Sequence, residues 1–117
     1  MKIHGYFKKD FEKWYLNIYL DFSKESEQTK KTMLLIFYKE KFTERYGVYV
    51  DFGDSVGIHI SLTSYTNITM NGNQWYYYKI GNIVKSDDNI RFKTRHEARE
   101  QSIIKLQEIY NEQRKDT

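Results

Sequence analysis

Lys13-Trp-Tyr-Leu-Asn-Ile-Tyr-Leu-Asp-Phe22 admits two readings, and the fold turns on which is taken. With period two, Trp14, Leu16, Ile18, Leu20 and Phe22 fall on one side and Tyr15, Asn17, Tyr19 and Asp21 on the other, as in a half-buried strand. With helical spacing, Phe7, Phe11, Trp14, Ile18 and Phe22 line one face. Enrichment in tyrosine and isoleucine favours a strand from about residue 13.

Outward from that strand, Ser26 to Tyr46 reads as a helix. Met33, Leu34, Phe37, Lys41, Phe42 and Arg45 lie among helix-compatible charged residues, and Gly47 stands where a left-handed C-terminal residue belongs. A strand through Thr32–Tyr38 is the alternative. Val48, Val50 and Phe52 alternate with Tyr49 and Asp51, and Gly53-Asp54 turns the chain. Ile58, Ile60 and Leu62 alternate with His59, Ser61 and Thr63. Asn71-Gly72 is the strongest hairpin signal, because a type I′ turn needs positive φ at both central residues. It leads into a strand at Gln74–Ile80, a turn at Ser86–Asn89 and a short strand at Ile90–Phe92. Thr94-Arg-His-Glu97 is a capping box opening a helix with the stripe Ala98, Ser102, Leu106, Ile109 and Tyr110.

The expected fold is therefore α+β, a single domain over residues 1–117. An antiparallel sheet of four to five strands carries two helices packed on one face, in the order β-α-β-β-β-α.

Composition narrows the function classes. The 117 residues are 39% hydrophobic and 30% charged, with net charge +3. Without cysteine there is no disulfide framework, thiolate nucleophile or cysteine-bound metal. The N-terminal segment lacks the apolar stretch of a signal peptide. The apolar run Met33–Tyr38 is far shorter than the roughly 18 residues of a membrane span. A cytoplasmic protein (of a host cell) with no membrane partner is the expectation.

Aromatic residues make up 17% of the chain, with 11 tyrosines. If the aliphatic phases face the helices, the opposite sheet face gathers Tyr15, Tyr19, Tyr49, His59, Ser61, Trp75, Tyr77 and Lys79. Rings with polar tips beside small hydroxyls suit stacking and hydrogen bonding. They would fit a small nucleotide ligand, a nucleic acid, a host protein or a second copy in a homodimer. The competing reading is that tyrosine merely favours strands and faces water.

Between Gly47 and Tyr78 there is no Lys or Arg, which makes this region a poor platform for a long phosphate backbone. The basic residues come later. Arg91, Lys93, Arg95 and Arg99 form a candidate anion-binding group, Arg95 and Arg99 being one turn apart at a helix N-terminus. A solvated basic edge is the alternative.

Catalytic patterns are missing. His59-Ile-Ser61 is one H-x-S unit where two-histidine phosphoesterases need two, and neither His4 nor His96 supplies the second. No phosphate-cradling glycine loop, zinc-protease motif or carboxylate metal loop occurs. Asp51-Phe-Gly53 lacks every companion motif of a kinase. The expectation is a non-enzymatic protein with no cofactor and no metal, a hydrolase centred on His59 being the alternative.

Two segments carry a resemblance. Phe92-Lys-Thr-Arg-His-Glu-Ala-Arg-Glu100, followed by Ile103–Tyr110, resembles the closing F-x-T/S-x-x-E-A helix of small uncharacterised phage and mobile-element proteins. Phe37–Val50 resembles the segment that often precedes it. Together they cover about a quarter of the chain, and the motif is largely a helix cap and a buried alanine. The resemblance implies an accessory protein that binds and sequesters or inhibits a host factor or nucleotide ligand, anti-defence proteins included. The alternative function is single-stranded nucleic-acid binding through the aromatic face and the basic edge.

Overall fold

The first third of the chain resolves its ambiguity as helix. In the computed structural model, which describes residues 1–67, 73–81, 84–85 and 91–115, α1 spans Gly5–Trp14 and runs on as a π-helical turn, Tyr15–Tyr19. The strand expected from residue 13 is not formed. Ile3, Phe7, Phe11 and Tyr15 recur every four residues and are all buried while Gly5, Lys9 and Lys13 midway between them are exposed, a pattern that a helix presents and a strand does not. The π turn shifts the phase beyond them. Leu20 N–H donates to the Tyr15 carbonyl at 2.9 Å, so the adjacent Tyr15 and Leu16 both turn inward while Ile18 is left 70% exposed. Asp21, at φ 57°, ends the turn in the left-handed region that aspartate tolerates better than most residues.

The helix expected over Ser26–Tyr46 is two helices. Ser26 Oγ accepts from the Thr29 amide at 3.2 Å and caps α2, Glu27–Lys39. Glu40 and Lys41 are extended, and α3 follows as Phe42–Ser55. Arg45 Nε donates to the Glu40 carbonyl at 3.2 Å, giving a partner to one of the acceptors a helix end leaves free.

Val48–Phe52, expected as a strand, lies inside α3. Arg45, Tyr49, Phe52 and Gly53 are buried at positions i, i+4, i+7 and i+8, and this helical face overrides the local alternation. Gly47 is mid-helix; the left-handed C-terminal glycine is Gly57, at φ 81°. Ile58 N–H reaches the Gly53 carbonyl at 2.8 Å and Gly57 N–H reaches that of Asp54 at 3.2 Å, a Schellman ending with Ile58 buried behind it. A Cβ at Gly53 would stand 2.6 Å from the Ile58 oxygen, so this close approach needs glycine.

The chain then forms β1, Ile60–Asn67, and β2, Asn73–Ile80, antiparallel with Ile60 opposite Ile80 and Asn67 opposite Asn73. The two-residue β3, Val84–Lys85, pairs with the end of β2, and Phe92 makes a lone bridge to Tyr76. The turns expected at Asn71-Gly72 and Ser86–Asn89, and Ile90 of the last expected strand, lie outside the described residues.

In α4, Arg95–Lys115, the Thr94 hydroxyl oxygen accepts from the Glu97 amide at 3.1 Å. Ala98, Ser102, Ile103, Leu106, Gln107 and Tyr110 form its buried stripe. Gln107 Oε1 accepts from His4 N–H at 2.9 Å and Asn111 Oδ1 from Phe7 N–H at 2.7 Å, so α4 satisfies amides at the start of α1. Gly5 permits this approach. Its φ is 67°, and a Cβ there would lie 2.9 Å from the Asn111 amide nitrogen.

Among the described residues the fold is thus α+β in the order α-α-α-β-β-β-α. Four helices and a hairpin with a short third strand replace the expected sheet of four to five strands with two helices on one face. One core joins rings and aliphatic groups of α1, α3 and α4 with Phe37 of α2 and Ile80 of β2.

Candidate anion-binding cleft

The hairpin register sorts its side chains. Ile60, Leu62 and Ser64 lie opposite Ile80, Tyr78 and Tyr76, and on this face Ile80 is buried and Ile60 and Tyr78 pack on the core. Ser61 and Thr63 lie opposite Lys79 and Tyr77, with Trp75 on the same, other face.

The Thr94 cap starts α4 beside the hairpin, which brings its first two turns over the Tyr76 side. The Arg95 guanidinium lies 5.6 Å from the centre of the Tyr76 ring, and that of Arg99 lies 5.4 Å from the Tyr46 ring of α3. Between these elements is a cleft of about 220 Å³, walled by Tyr46, Tyr76, Arg95 and Arg99 and floored by Leu62, Thr63 and Ser64 of β1.

Arg99 Nε is shielded from solvent and finds no acceptor among the described residues. Among the described residues neither Arg95 nor Arg99 pairs with a carboxylate. Burial pushes the Tyr46 hydroxyl above the usual phenol range, against the opposing pull of a hydrogen bond with Ser102 and the charge of Arg99, so it is neutral at physiological pH. Two ring-backed guanidiniums beside the Ser64 hydroxyl form a set of donors, suited to holding one phosphate or carboxylate.

The expected tyrosine face is not one surface. Tyr15 and Tyr49 are on helices and buried, with Tyr49 fully enclosed, and Tyr19 is on the π turn. Their placement falls with the strands they were assigned to. Burial pushes the Tyr49 hydroxyl up, opposed by the Arg45 charge beside it. Ser61, Trp75, Tyr77 and Lys79 do share a hairpin face. His59 precedes β1, and its Nδ1 lies 2.8 Å from Asp54 Oδ1 with both side chains at least half exposed.

The expected basic group also divides. Arg95 and Arg99 line the cleft, Arg91 lies 5.8 Å from the Trp75 ring, and Lys93 is exposed. Tyr46 and Tyr76 were not foreseen as site residues. The Tyr76 phase, opposite to Trp75 and Tyr77, was readable from the strand. Tyr46 meets Arg99 only through the packing of α3 on α4, which no local pattern announces.

Among the described residues no three His, Asp or Glu side chains gather to hold a metal ion, and no helix is long and apolar enough to cross a membrane. No family model matches the chain, and neither a curated protein nor a solved structure is significantly similar to it.

Proposed function

We propose that this chain is a non-enzymatic binding protein that captures and sequesters a nucleotide ligand, its phosphate held between Arg95 and Arg99. The accessory, phage-type role that the closing helix resembles is part of the same proposal, with the ligand belonging to a host system. One observation carries the reading. Two guanidiniums one helical turn apart are backed by Tyr76 and Tyr46, share a cleft with Ser64, and have no carboxylate partner among the described residues. A phosphate accepts charge-assisted bonds from such a pair more favourably than a neutral group does.

Isothermal titration of the full chain with nucleoside monophosphates, and with the matching nucleosides, tests it. Saturable binding is expected for a monophosphate and not for its nucleoside, with affinity about tenfold lower in Arg99→Ala, the loss of one charge-assisted contact. Unchanged binding in Arg99→Ala, or no binding of any nucleotide, would refute the proposal.

A second reading is supported by the other hairpin face, where Arg91 lies over Trp75 beside Tyr77, Ser61 and Lys79. Such a surface would stack the bases of a single strand. Its signature is salt dependence: each phosphate contact adds about 0.7 to the negative slope of log K against log salt. A slope near zero with an oligonucleotide removes this reading.

A further inference from the structure

Arg45 of α3 is the charged residue among the buried ones, at 8% exposure. Its Nε donates to the Glu40 carbonyl and its Nη1 to the Tyr49 hydroxyl, both at 3.2 Å, and the guanidinium lies 5.9 Å from the Phe42 ring. Both acceptors are neutral, and three of its five N–H groups are left for other partners. Among the described residues no carboxylate lies within ion-pair distance of it. Glu12 acts on the same neighbourhood, but its Oε2 accepts from the Tyr38 hydroxyl at 2.6 Å. A buried guanidinium facing only neutral groups is costly unless a counter-charge reaches it.

Arg45 also lines a cavity of about 530 Å³ with Met1, Lys2, Ile3, Lys8 and Tyr38. Its walls hold three cationic side chains and no acidic one, while Ile3 is buried and Met1 and Tyr38 are half-buried against the core. The volume lies within the roughly 300–1,000 Å³ typical of small-molecule pockets, which are mostly apolar with a few polar anchors. None of these residues belongs to the Arg95–Arg99 cleft.

We infer that this cavity is a second binding site, for a small organic anion. Its carboxylate or phosphate head meets Arg45 between Lys2 and Lys8, and its apolar body lies on Ile3, Met1 and the Tyr38 ring. The ligand supplies a direct ionic partner, which Arg45 lacks among the described residues. Tyr38 lines the cavity with its hydroxyl committed to Glu12.

Nuclear magnetic resonance of the ¹⁵N-labelled full chain tests this, following the Arg45 Nε–H and Ile3 amide signals. The probes are phenyl phosphate, phenylacetate and inorganic phosphate, each titrated into the wild type, Arg95→Ala/Arg99→Ala and Lys2→Ser/Lys8→Ser. The last variant changes two exposed side chains and leaves the core intact. Saturable shifts at Arg45 and Ile3 are expected with one or both aromatic anions, the tighter one naming the head group. They should persist in Arg95→Ala/Arg99→Ala and weaken about five-fold in Lys2→Ser/Lys8→Ser, the loss of two exposed charge contacts. Silence at Arg45 with both aromatic anions would overturn the inference, as would shifts lost in Arg95→Ala/Arg99→Ala. Inorganic phosphate binding as tightly as the aromatic anions would remove the apolar half of the site.

Discussion

Aromatic rings build both the core and the cleft, but they do opposite things there. In the core, rings meet rings: Phe7 stacks on Phe11 at 6.0 Å, Phe11 lies 5.0 Å from Tyr49, and Tyr15 lies 4.7 Å from Phe37. Core hydroxyls are tied to carboxylates at the edges, Tyr110 to Asp10 and Tyr38 to Glu12, both at 2.6 Å. Around the hairpin, rings meet guanidiniums instead: Tyr76 with Arg95, Tyr46 with Arg99 and Trp75 with Arg91. The electron-rich ring face explains both uses. In the core it packs mostly against the edge or offset face of another ring, Phe42 beside the buried Arg45 guanidinium being an exception, and where one side stays open it attracts a cation. Composition cannot separate these two populations; position in the fold does.

The sharpest way to break that contrast is Phe11→Ala. The ring touches Phe7, Trp14, Tyr15, Phe37, Tyr49 and Phe52, and it is fully buried. Truncation should cost about 3–5 kcal/mol, read as a lower urea midpoint at unchanged slope. A loss below about 1 kcal/mol would mean that the ring cluster is not what holds α1 to α3.

Alkaline titration probes the carboxylate-bound hydroxyls of the core next. Burial, then the hydrogen bond to Asp10, push the Tyr110 hydroxyl up to about 12 from an unfolded value of 10.0. A group whose folded value is raised contributes stability that is complete below the unfolded value and is lost as pH climbs through the folded one. Stability should therefore hold to about pH 10 and fall between 10 and about 12. Tyr38 adds to the same decline, pushed up by burial and by its bond to Glu12. Denaturation curves at stepped pH should show a shallower fall in Tyr110→Phe; an identical fall would place the coupling elsewhere.

Arg99→Ala is the matching test at the cleft. Removing a partly exposed guanidinium from the Tyr46 ring should lower stability by only about 0.5–1 kcal/mol, while ligand affinity drops far more. A stability loss comparable with that of Phe11→Ala would show that the arginine serves the core and that the cleft is no separate region.

Legibility in the sequence followed how far apart the deciding residues are. The closing helix was legible in its cap and in most of its stripe, because Thr94, Glu97, Ala98, Ser102, Leu106 and Tyr110 interact within a few turns, whereas Ile103 and Gln107 are buried beside them and Ile109 is only half-buried. The strand phases of Ser61–Thr63 and Trp75–Lys79 were equally local, and so was the pairing of Arg95 with Arg99 on one helix face. The N-terminal stretches were ambiguous because one set of residues satisfied two periods at once. Burial of Phe7 and Phe11 by α3 and α4 and of Tyr15 by α2 chose between them, and local propensity for strand lost to tertiary packing. The π turn, the break at Glu40-Lys41 and the Tyr46–Arg99 contact have no short-range signature at all.

Gly47 gives the smallest effect and the clearest sign. If the helix ended there, as the local pattern had it, Gly47 would adopt a left-handed conformation, and alanine would cost about 1 kcal/mol or more. In the structure Gly47 lies in the middle of α3 without a positive φ, is exposed, and has open space where a Cβ would go. Gly47→Ala should then raise stability by about 0.5–1 kcal/mol, through higher helix propensity and a less flexible unfolded chain. Gly57→Ala is the control in the opposite direction. Its φ of 81° also faces open space, so any loss there is backbone strain and not a clash. Opposite signs at the two glycines in thermal unfolding would fix the end of α3 at the Schellman turn. A loss at Gly47 would return Val48–Phe52 to a strand and remove Tyr49 from the core.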